Sequence, residues 1–240
     1  MSARHPLLGA FRSSWLSTPF PLVVEHRAGG DHQMCSAPSL WMGARENAGA
    51  LRDFGLGPGD RVAVLLSPGV TYVQWLVACL RVSVSFVPCR TLTGVPAQAV
   101  VRSSGDLAAL PSLDRARGST ERLLLRTGEG WEPMSAAAVS AAADGRDAGP
   151  LAPGQRVWSG GSWRDRRSVA RELLPLLAAG CEVHVGIRED VPPALPDVAP
   201  SLAIGASDRI MRWLERYPEE LRDAQLVALE SLDHPTRAAA

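Results

Sequence analysis

Two similar stretches, one in each half of the chain, restrict most strongly what this sequence can fold into. Residues 56–62 read Leu-Gly-Pro-Gly-Asp-Arg-Val, and residues 151–157 read Leu-Ala-Pro-Gly-Gln-Arg-Val. A Pro-Gly turn that leads directly into an apolar run is typical of the start of a buried strand. A helix-like segment and a second short apolar run follow each copy. Repeated strand-helix-strand units of this kind predict an α/β fold with mainly parallel sheets.

The other elements are predicted from apolar periodicity and turn residues. A hairpin is expected around a Gly29-Gly30 turn, and Ser36 or Ser39 is expected to cap the helix that follows and ends at Gly55. The remaining predicted strands are 61–66, 84–87, 181–186, 201–204 and 225–229, and the remaining predicted helices are 69–82, 134–143, 163–179 and 207–216.

Two regions are expected to hold little regular structure. Residues 1–20 are predicted to be irregular, and residues 90–120 to be a linker with weak helical content at 95–101. This linker suggests a division into a first α/β lobe with the N-terminal hairpin, residues 1–115, and a second α/β lobe, residues 116–240.

Composition excludes several classes of protein. The formal net charge of the 240 residues is zero, so no global basic field favours nucleic acid or an anionic membrane. No apolar run reaches the roughly 20 residues of a membrane-spanning helix, and no signal-peptide pattern opens the chain. The four cysteines lack CxxC spacing, which is typical of buried, reduced thiols and predicts a cytoplasmic protein.

The basic residues set a chemical limit, because all 25 of them are arginine and none is lysine. Drift of a GC-rich genome accounts for that bias on the surface. Its chemical consequence is that this chain alone offers no lysine base, no Schiff base and no phosphate-loop lysine. No metal site is predicted either, since His26, His32 and His184 are not at ligand spacing.

A glycine-rich stretch in the middle of the chain has the pattern of a nucleotide-binding loop. Three leucines, 123–125, run into Arg126, Thr127, Gly128, Glu129 and Gly130, as when a buried strand delivers a turn towards a phosphate. The chemistry is altered, however. A carboxylate in such a loop repels phosphate, and a methionine follows the next proline where a cation belongs.

Residues 47–89 resemble the adenylate-forming superfamily of acyl-CoA synthetases, peptide-synthetase adenylation domains and luciferases. The shared residues are a helix ending at Gly55, then Gly59-Asp60-x-Val62, a second helix, and a strand ending in Val87-Pro88. Residues 173–183 are similar to the family's Leu-Pro-Leu-Leu-x-Gly segment. The resemblance covers about residues 20–230 and implies the N-terminal half of that fold. Ser83 departs from it, because the family usually has glycine there.

The resemblance also identifies what the central loop has lost. The family's phosphate loop is similar to Thr-Ser-Gly-Thr-Thr-Gly-x-Pro-Lys-Gly, and alignment on Pro133 places Met134 at the lysine. Two interpretations remain open. The stretch is either a modified ligand loop in which Arg126 supplies charge, or a turn left over from an ancestral site. Arg126 is equally able to pair with Glu129 or Glu132.

Aromatic and basic residues near this loop suggest a binding surface. Trp131, Trp158, Trp163 and Arg164 are candidates for a partner or pocket surface, because tryptophan and arginine are favoured at interfaces. The alternative is that the tryptophans fill the core and that the basic residues form a solvated first turn. A basic cluster at a helix start opposes the helix dipole, so a ligand or partner with negative charge is favoured there.

These observations predict a truncated, degenerate relative of the adenylate-forming enzymes. We expect a non-catalytic pseudoenzyme that acts as a binding or partner subunit, in a biosynthetic setting, as a homo-oligomer or with an enzyme partner. No catalytic residue, metal or cofactor is assigned, and a small acyl or nucleotide ligand stays open. The alternative is an enzyme of another reaction class that uses the remaining pocket.

Overall fold

The computed structural model describes residues 6–16, 18–20, 22–27, 31–103, 105–111, 120–128, 130–144, 151–186 and 198–229. Within these ranges the chain forms two six-stranded sheets with helices between and around them. Most neighbouring strands are parallel, so the predicted α/β fold with mainly parallel sheets is confirmed.

The first sheet has the strand order β6-β5-β3-β4-β7-β8. Its inner strands are parallel, and the hairpins β5-β6 and β7-β8 close the two edges. The strands are β3 (Arg61–Val64), β4 (Ser85–Pro88), β5 (Ala99–Val101), β6 (Leu107–Ala109), β7 (Glu121–Arg126) and β8 (Trp131–Ser135).

The second sheet has the order β12-β11-β9-β10-β1-β2. Five strands are parallel, and β2 pairs antiparallel with β1, which confirms the predicted hairpin. The strands are β1 (Val23–His26), β2 (His32–Cys35), β9 (Arg156–Ser159), β10 (Glu182–Gly186), β11 (Leu202–Gly205) and β12 (Gln225–Ala228).

Helix α3 is the centre of the molecule. Its residues are apolar on nearly every face, and it contacts strands of both sheets and helix α2. Burial on all sides explains why this helix shows no amphipathic stripe. The helices are α1 (Pro6–Leu16), α2 (Ala37–Asp53), α3 (Val70–Val82), α4 (Ala136–Ala143), α5 (Leu174–Ala179) and α6 (Ser207–Arg216), with a π-helical segment (Ser168–Leu173) before α5.

Several local predictions were wrong where tertiary packing decided the outcome. The N-terminal region predicted to be irregular contains helix α1, which buries Phe11 and Trp15 against the core. The linker predicted to be weakly helical contains β5 and β6 instead. Met134 belongs to strand β8 and not to the predicted helix, because the chain turns back to pair with β7 before α4 begins.

The sheets also do not follow the predicted division at residue 115. Hairpin β1-β2 joins the sheet built by the C-terminal strands, whereas β7 and β8 complete the first sheet. No helix within the described ranges is long and apolar enough to cross a membrane.

Candidate functional site

An open cavity of about 1370 Å³ lies where the carboxyl ends of β4 and β7 meet the segment that leads into α5. In parallel sheets, the carboxyl ends of strands are the usual place for a ligand, because helix N-termini and loops converge there. One wall is apolar and comes mainly from α4. Its apolar residues are Met134, Ala138, Ala141, Ala142, Ala170 and Pro175.

The other wall carries an excess of positive charge. Among the described lining residues Asp165 supplies the one carboxylate, and Arg166 is ion-paired with Glu132. The described lining therefore holds more arginines than acids. The arginines that line the cavity are Arg90, Arg126, Arg164, Arg166, Arg167 and Arg171.

The predicted phosphate loop is the turn of the hairpin β7-β8. The Thr127 N–H donates to the Gly130 carbonyl at 2.8 Å, and the Thr127 hydroxyl lies 3.4 Å from the same oxygen, so the turn is closed by its own hydrogen bonds. Arg126, Thr127 and Gly128 line the cavity, whereas Gly130 does not. Glu129 lies outside the described residues. A ligand role for this turn stays a prediction.

The altered position of the loop lies against the cavity. Met134 is 4% exposed, packs in the core and is one of the residues that line the cavity. The Arg126 guanidinium lies 6.0 Å from the centre of the Trp131 ring, within cation–π range, and Glu132 pairs with Arg166. Of the two pairings of Arg126 that the sequence left open, the one with Glu132 is not seen in the described part of the chain, and the one with Glu129 lies outside it.

The predicted surface tryptophans lie in three different environments. Trp131 is partly buried and donates its ring N–H to the Gly94 carbonyl at 3.2 Å. Trp158 and Trp163 are buried, at 2% and 0% exposure, and neither lines the cavity. The surface role predicted for these two was wrong, because burying a large aromatic ring is worth more than displaying it.

Arg164, the fourth of these candidates, does line the cavity. Its guanidinium donates to the Leu66 carbonyl at 3.3 Å, which ties the segment to the end of the first sheet. Asp165 follows it and accepts from the Ser168 N–H at 2.9 Å and from the Ser162 hydroxyl at 2.8 Å. This carboxylate caps the helical turn that begins at Arg166 and leads into the π-helical segment, and so fixes the backbone that carries the arginines.

A buried acid behind this wall was missed by the sequence analysis. Glu172 is fully buried, and its Oε1 accepts from the Ser159 hydroxyl at 2.5 Å and from the Gly161 N–H at 3.1 Å. Burial raises the Glu172 pKa to about 8, although both hydrogen bonds oppose the rise. The sequence gives no signal for this, since one glutamate in an apolar helix reads as an exposed residue.

Three histidines are close together without forming a metal site. His26 Nε2 lies 2.9 Å from His184 Nδ1, and His184 Nε2 lies 2.8 Å from Glu182 Oε1. Burial lowers the His184 pKa to about 4, helped by the charges of Arg156 and His32. Among the residues that the structure describes, no group of three or more His, Cys, Asp or Glu could hold a metal ion.

Comparison with known proteins gives a likeness of fold. No family model matches the chain, and no curated protein matches it. The solved structure of CmiS6 matches with a TM-score of 0.71 and 19% identity over 95% of this chain and 66% of that one. The NpsA N-terminal subdomain from Klebsiella oxytoca, in complex with 3-hydroxybenzoyl-AMSN, matches with a TM-score of 0.69 and 14% identity over 91% and 64%.

A benzoate CoA ligase from Burkholderia xenovorans LB400 matches with a TM-score of 0.68 and 17% identity over 92% of this chain and 54% of that one. The chain therefore spans between about half and two thirds of these structures. At such identities the likeness shows the fold alone. That fold is the N-terminal part of the adenylate-forming fold, as the resemblance implied.

Proposed function

We propose that this protein binds a phosphate-bearing anion in the arginine-lined cavity and does not itself form acyl adenylates. The observation that carries the proposal is that six arginines and one carboxylate line the cavity among the described residues. Guanidinium groups bind phosphate bidentately and keep their charge at every physiological pH. Arginines from outside the central loop thus supply the positive charge that the loop lacks at Met134.

The second half of the proposal rests on the residues present at the loop. Met134 occupies the position of the family's lysine, and the 240 residues contain no lysine that could replace it. Phosphoryl and nucleotidyl transfer need positioned cations at the transferring group, each worth several kcal/mol. An arginine wall that binds an anion equally well before and during reaction gives affinity without rate.

The predicted alternative of another reaction class has less support. Cys89 is the one thiol among the residues that line the described cavity, and burial raises its pKa to about 11, against smaller opposing effects of a backbone hydrogen bond and Arg164. A thiol of that pKa is protonated at neutral pH and is a poor nucleophile. The partner role, the oligomeric state, the biosynthetic setting and the cytoplasmic location stay predictions.

Calorimetric titration with ATP, AMP and inorganic pyrophosphate tests the binding half. We expect saturable binding of at least one of them, and we expect Arg171→Glu to weaken it by about tenfold or more, because the charge reversal lies in the cavity wall. Arg216→Glu, on the exposed end of α6, is the matched control and should bind like the unmodified protein.

The outcomes are distinct. Absence of saturable binding by all three anions, or equal weakening by the control variant, would overturn the binding site. Exchange of pyrophosphate into ATP by the purified chain, with any of a panel of carboxylic acids, would overturn the non-catalytic half. Circular dichroism of both variants shows whether the fold is kept.

A further inference from the structure

The turn that precedes the arginine-bearing segment is fixed by hydrogen bonds to the buried side chain of Glu172. Glu172 Oε1 accepts from Ser159 at the end of β9 and from the Gly161 N–H in the turn that follows. Its second oxygen, Oε2, is buried and has no hydrogen-bond partner among the described residues. A Cβ added at Gly161 would lie 1.9 Å from Oε2, so glycine is required for this close approach.

The same turn is fixed from two further directions. The Trp163 ring N–H donates to the Ser159 hydroxyl at 3.0 Å, and the Tyr72 hydroxyl of α3 donates to the Trp163 carbonyl. Trp163 has a φ of 51°, in the left-handed region that non-glycine residues rarely adopt. A strained residue persists only where its surroundings over-determine it, and here Glu172, Ser159 and Tyr72 supply the constraints.

This turn leads directly to the cavity wall. Arg164 comes immediately after Trp163, and Asp165 then caps the segment that carries Arg166, Arg167 and Arg171. Neutral Glu172 lies behind that wall and adds no negative charge to it. Ionised Glu172 would place a carboxylate oxygen without a donor in a buried site, which is unfavourable until the turn opens to water.

We propose that Glu172, in its neutral form, is the positioning residue of the anion site and that its ionisation weakens anion binding. This inference rests on the proposed function and adds to it a proton-dependent control of the same cavity. Glu172 acts through the turn that follows β9 and does not itself line the cavity.

The direction of the pH effect follows from the groups around Glu172. Burial is the main cause of its raised pKa of about 8, Asp165 raises it further, and Arg209 of α6 lowers it. Tyr72 also has its pKa raised well above the ordinary value by burial, so it stays neutral. Glu172 is therefore mostly protonated at pH 7, and anion affinity should fall as the pH rises through about 8.

The test is the ATP dissociation constant between pH 7.5 and 9.5 at constant ionic strength. The charge of ATP changes little in this window, because the second phosphate pKa is about 6. The small gain of negative charge favours binding at high pH, which is opposite to the effect expected from Glu172. We expect affinity to fall about fivefold or more in the unmodified protein. Glu172→Gln, which keeps an acceptor and cannot ionise, should bind as at pH 7.5 and vary by less than about twofold.

Glu172→Ala is the structural comparison. It removes the acceptor of Ser159 and Gly161, and we expect it to weaken ATP binding at every pH. A pH profile of Glu172→Gln identical to that of the unmodified protein would overturn the inference while leaving the anion site intact.

Failure of ATP to bind would contradict the proposed function. In that case, hydrogen exchange of residues 159–168 still tests the positioning role of Glu172. Protection of these amides should fall between pH 7.5 and 9.5 in the unmodified protein, relative to Glu172→Gln at the same pH. Amides of α2 serve as the internal control. Equal protection in the two proteins at all pH values would refute the positioning role.

Discussion

Two buried side chains of this protein have pKa values shifted in opposite directions. One shift favours the folded state at low pH, and the other favours it at high pH. Glu172 is held neutral behind the cavity wall, with a pKa raised to about 8 by burial. His184 is held neutral between His26 and Glu182, with a pKa lowered to about 4. Each residue contributes to stability over a different pH range, since burial disfavours the charged form of both.

The contribution of His184 predicts loss of stability in acid. Its folded-state pKa lies below the ordinary 6.5, so its stabilisation is complete above pH 6.5 and is lost as the pH falls towards about 4. We expect His184→Gln to reduce this loss. Urea unfolding of both proteins at pH 7, 5.5 and 4.5 measures it. An unchanged acid dependence in His184→Gln would contradict the prediction.

The contribution of Glu172 has the opposite sign. Its folded-state pKa lies above the ordinary 4.5, so the folded form is favoured most below pH 4.5 and loses that advantage as the pH rises through about 8. We expect the free energy of unfolding of Glu172→Gln, minus that of the unmodified protein, to be a few kcal/mol larger at pH 9 than at pH 5. The reason is that one pKa unit corresponds to about 1.4 kcal/mol. Chemical unfolding of both proteins at the two pH values measures this.

At the scale of elements, two helices end in the same left-handed conformation with different residues. Helix α3 ends at Ser83, with a φ of 61°, and α5 ends at Gly180, with a φ of 74°. Glycine adopts this conformation without the steric cost that a Cβ brings. The departure from the family at Ser83 is thus a strained helix end and lies away from the cavity.

This difference predicts opposite effects of two substitutions. Ser83→Gly should raise the free energy of unfolding by roughly 0.5–1 kcal/mol by removing the strain. Gly180→Ala should lower it by about 1 kcal/mol or more, since a Cβ there would lie 2.8 Å from the Thr18 hydroxyl oxygen. Thermal and urea unfolding of both variants check this, and a shift in the same direction for both would contradict the explanation.

The π-helical segment before α5 is the element that joins fold to site. It follows Asp165, carries Arg171 at the cavity and buries Glu172 one residue later. Adjacent residues of a helix point in different directions, so one short segment supplies both an arginine that lines the cavity and the buried acid next to it. π-helical turns are rare and are frequent at functional sites, which agrees with its position here.

For the whole molecule, the zero net charge conceals a local concentration of positive charge. Twenty-five basic and 25 acidic residues balance over the chain, yet the described residues that line the cavity include six arginines and one aspartate. A concave site of one sign concentrates its field towards a ligand of the other sign. The zero net charge therefore gives the protein no general attraction for anions, but it still allows one specific anion site.

That concentration predicts a strong dependence of anion affinity on salt. Raising sodium chloride from 50 to 500 mM should weaken ATP binding by roughly tenfold, because the screening length shortens to a few ångströms. Titration at four salt concentrations measures the slope, and Arg171→Glu should reduce it. A salt-independent affinity would show that the arginine wall does not hold the anion.

The sequence alone determined the α/β fold class and the repeated strand-helix-strand units. The repeated Pro-Gly turns before apolar runs, the hairpin pairing of β1 with β2 and the cap at Ser36 were predicted from local signals, since turns and caps involve residues close in sequence, although Gly29 and Gly30 themselves lie outside the described residues. Local signals failed at β5, whose partner β3 is distant in the chain, and at the short edge strands β6 and β8, which pair with β5 and β7 in hairpins.

Only the tertiary structure decided where the charges of the site come from. Arg90, Arg126 and Arg171 are far apart in sequence and reach one cavity because β4, β7 and the π-helical segment end at the same place. The glycine-rich loop indicated the location, but its own residues suggested a lost site. Charge at a site depends on which segments converge in space, and a sequence shows only which residues follow one another.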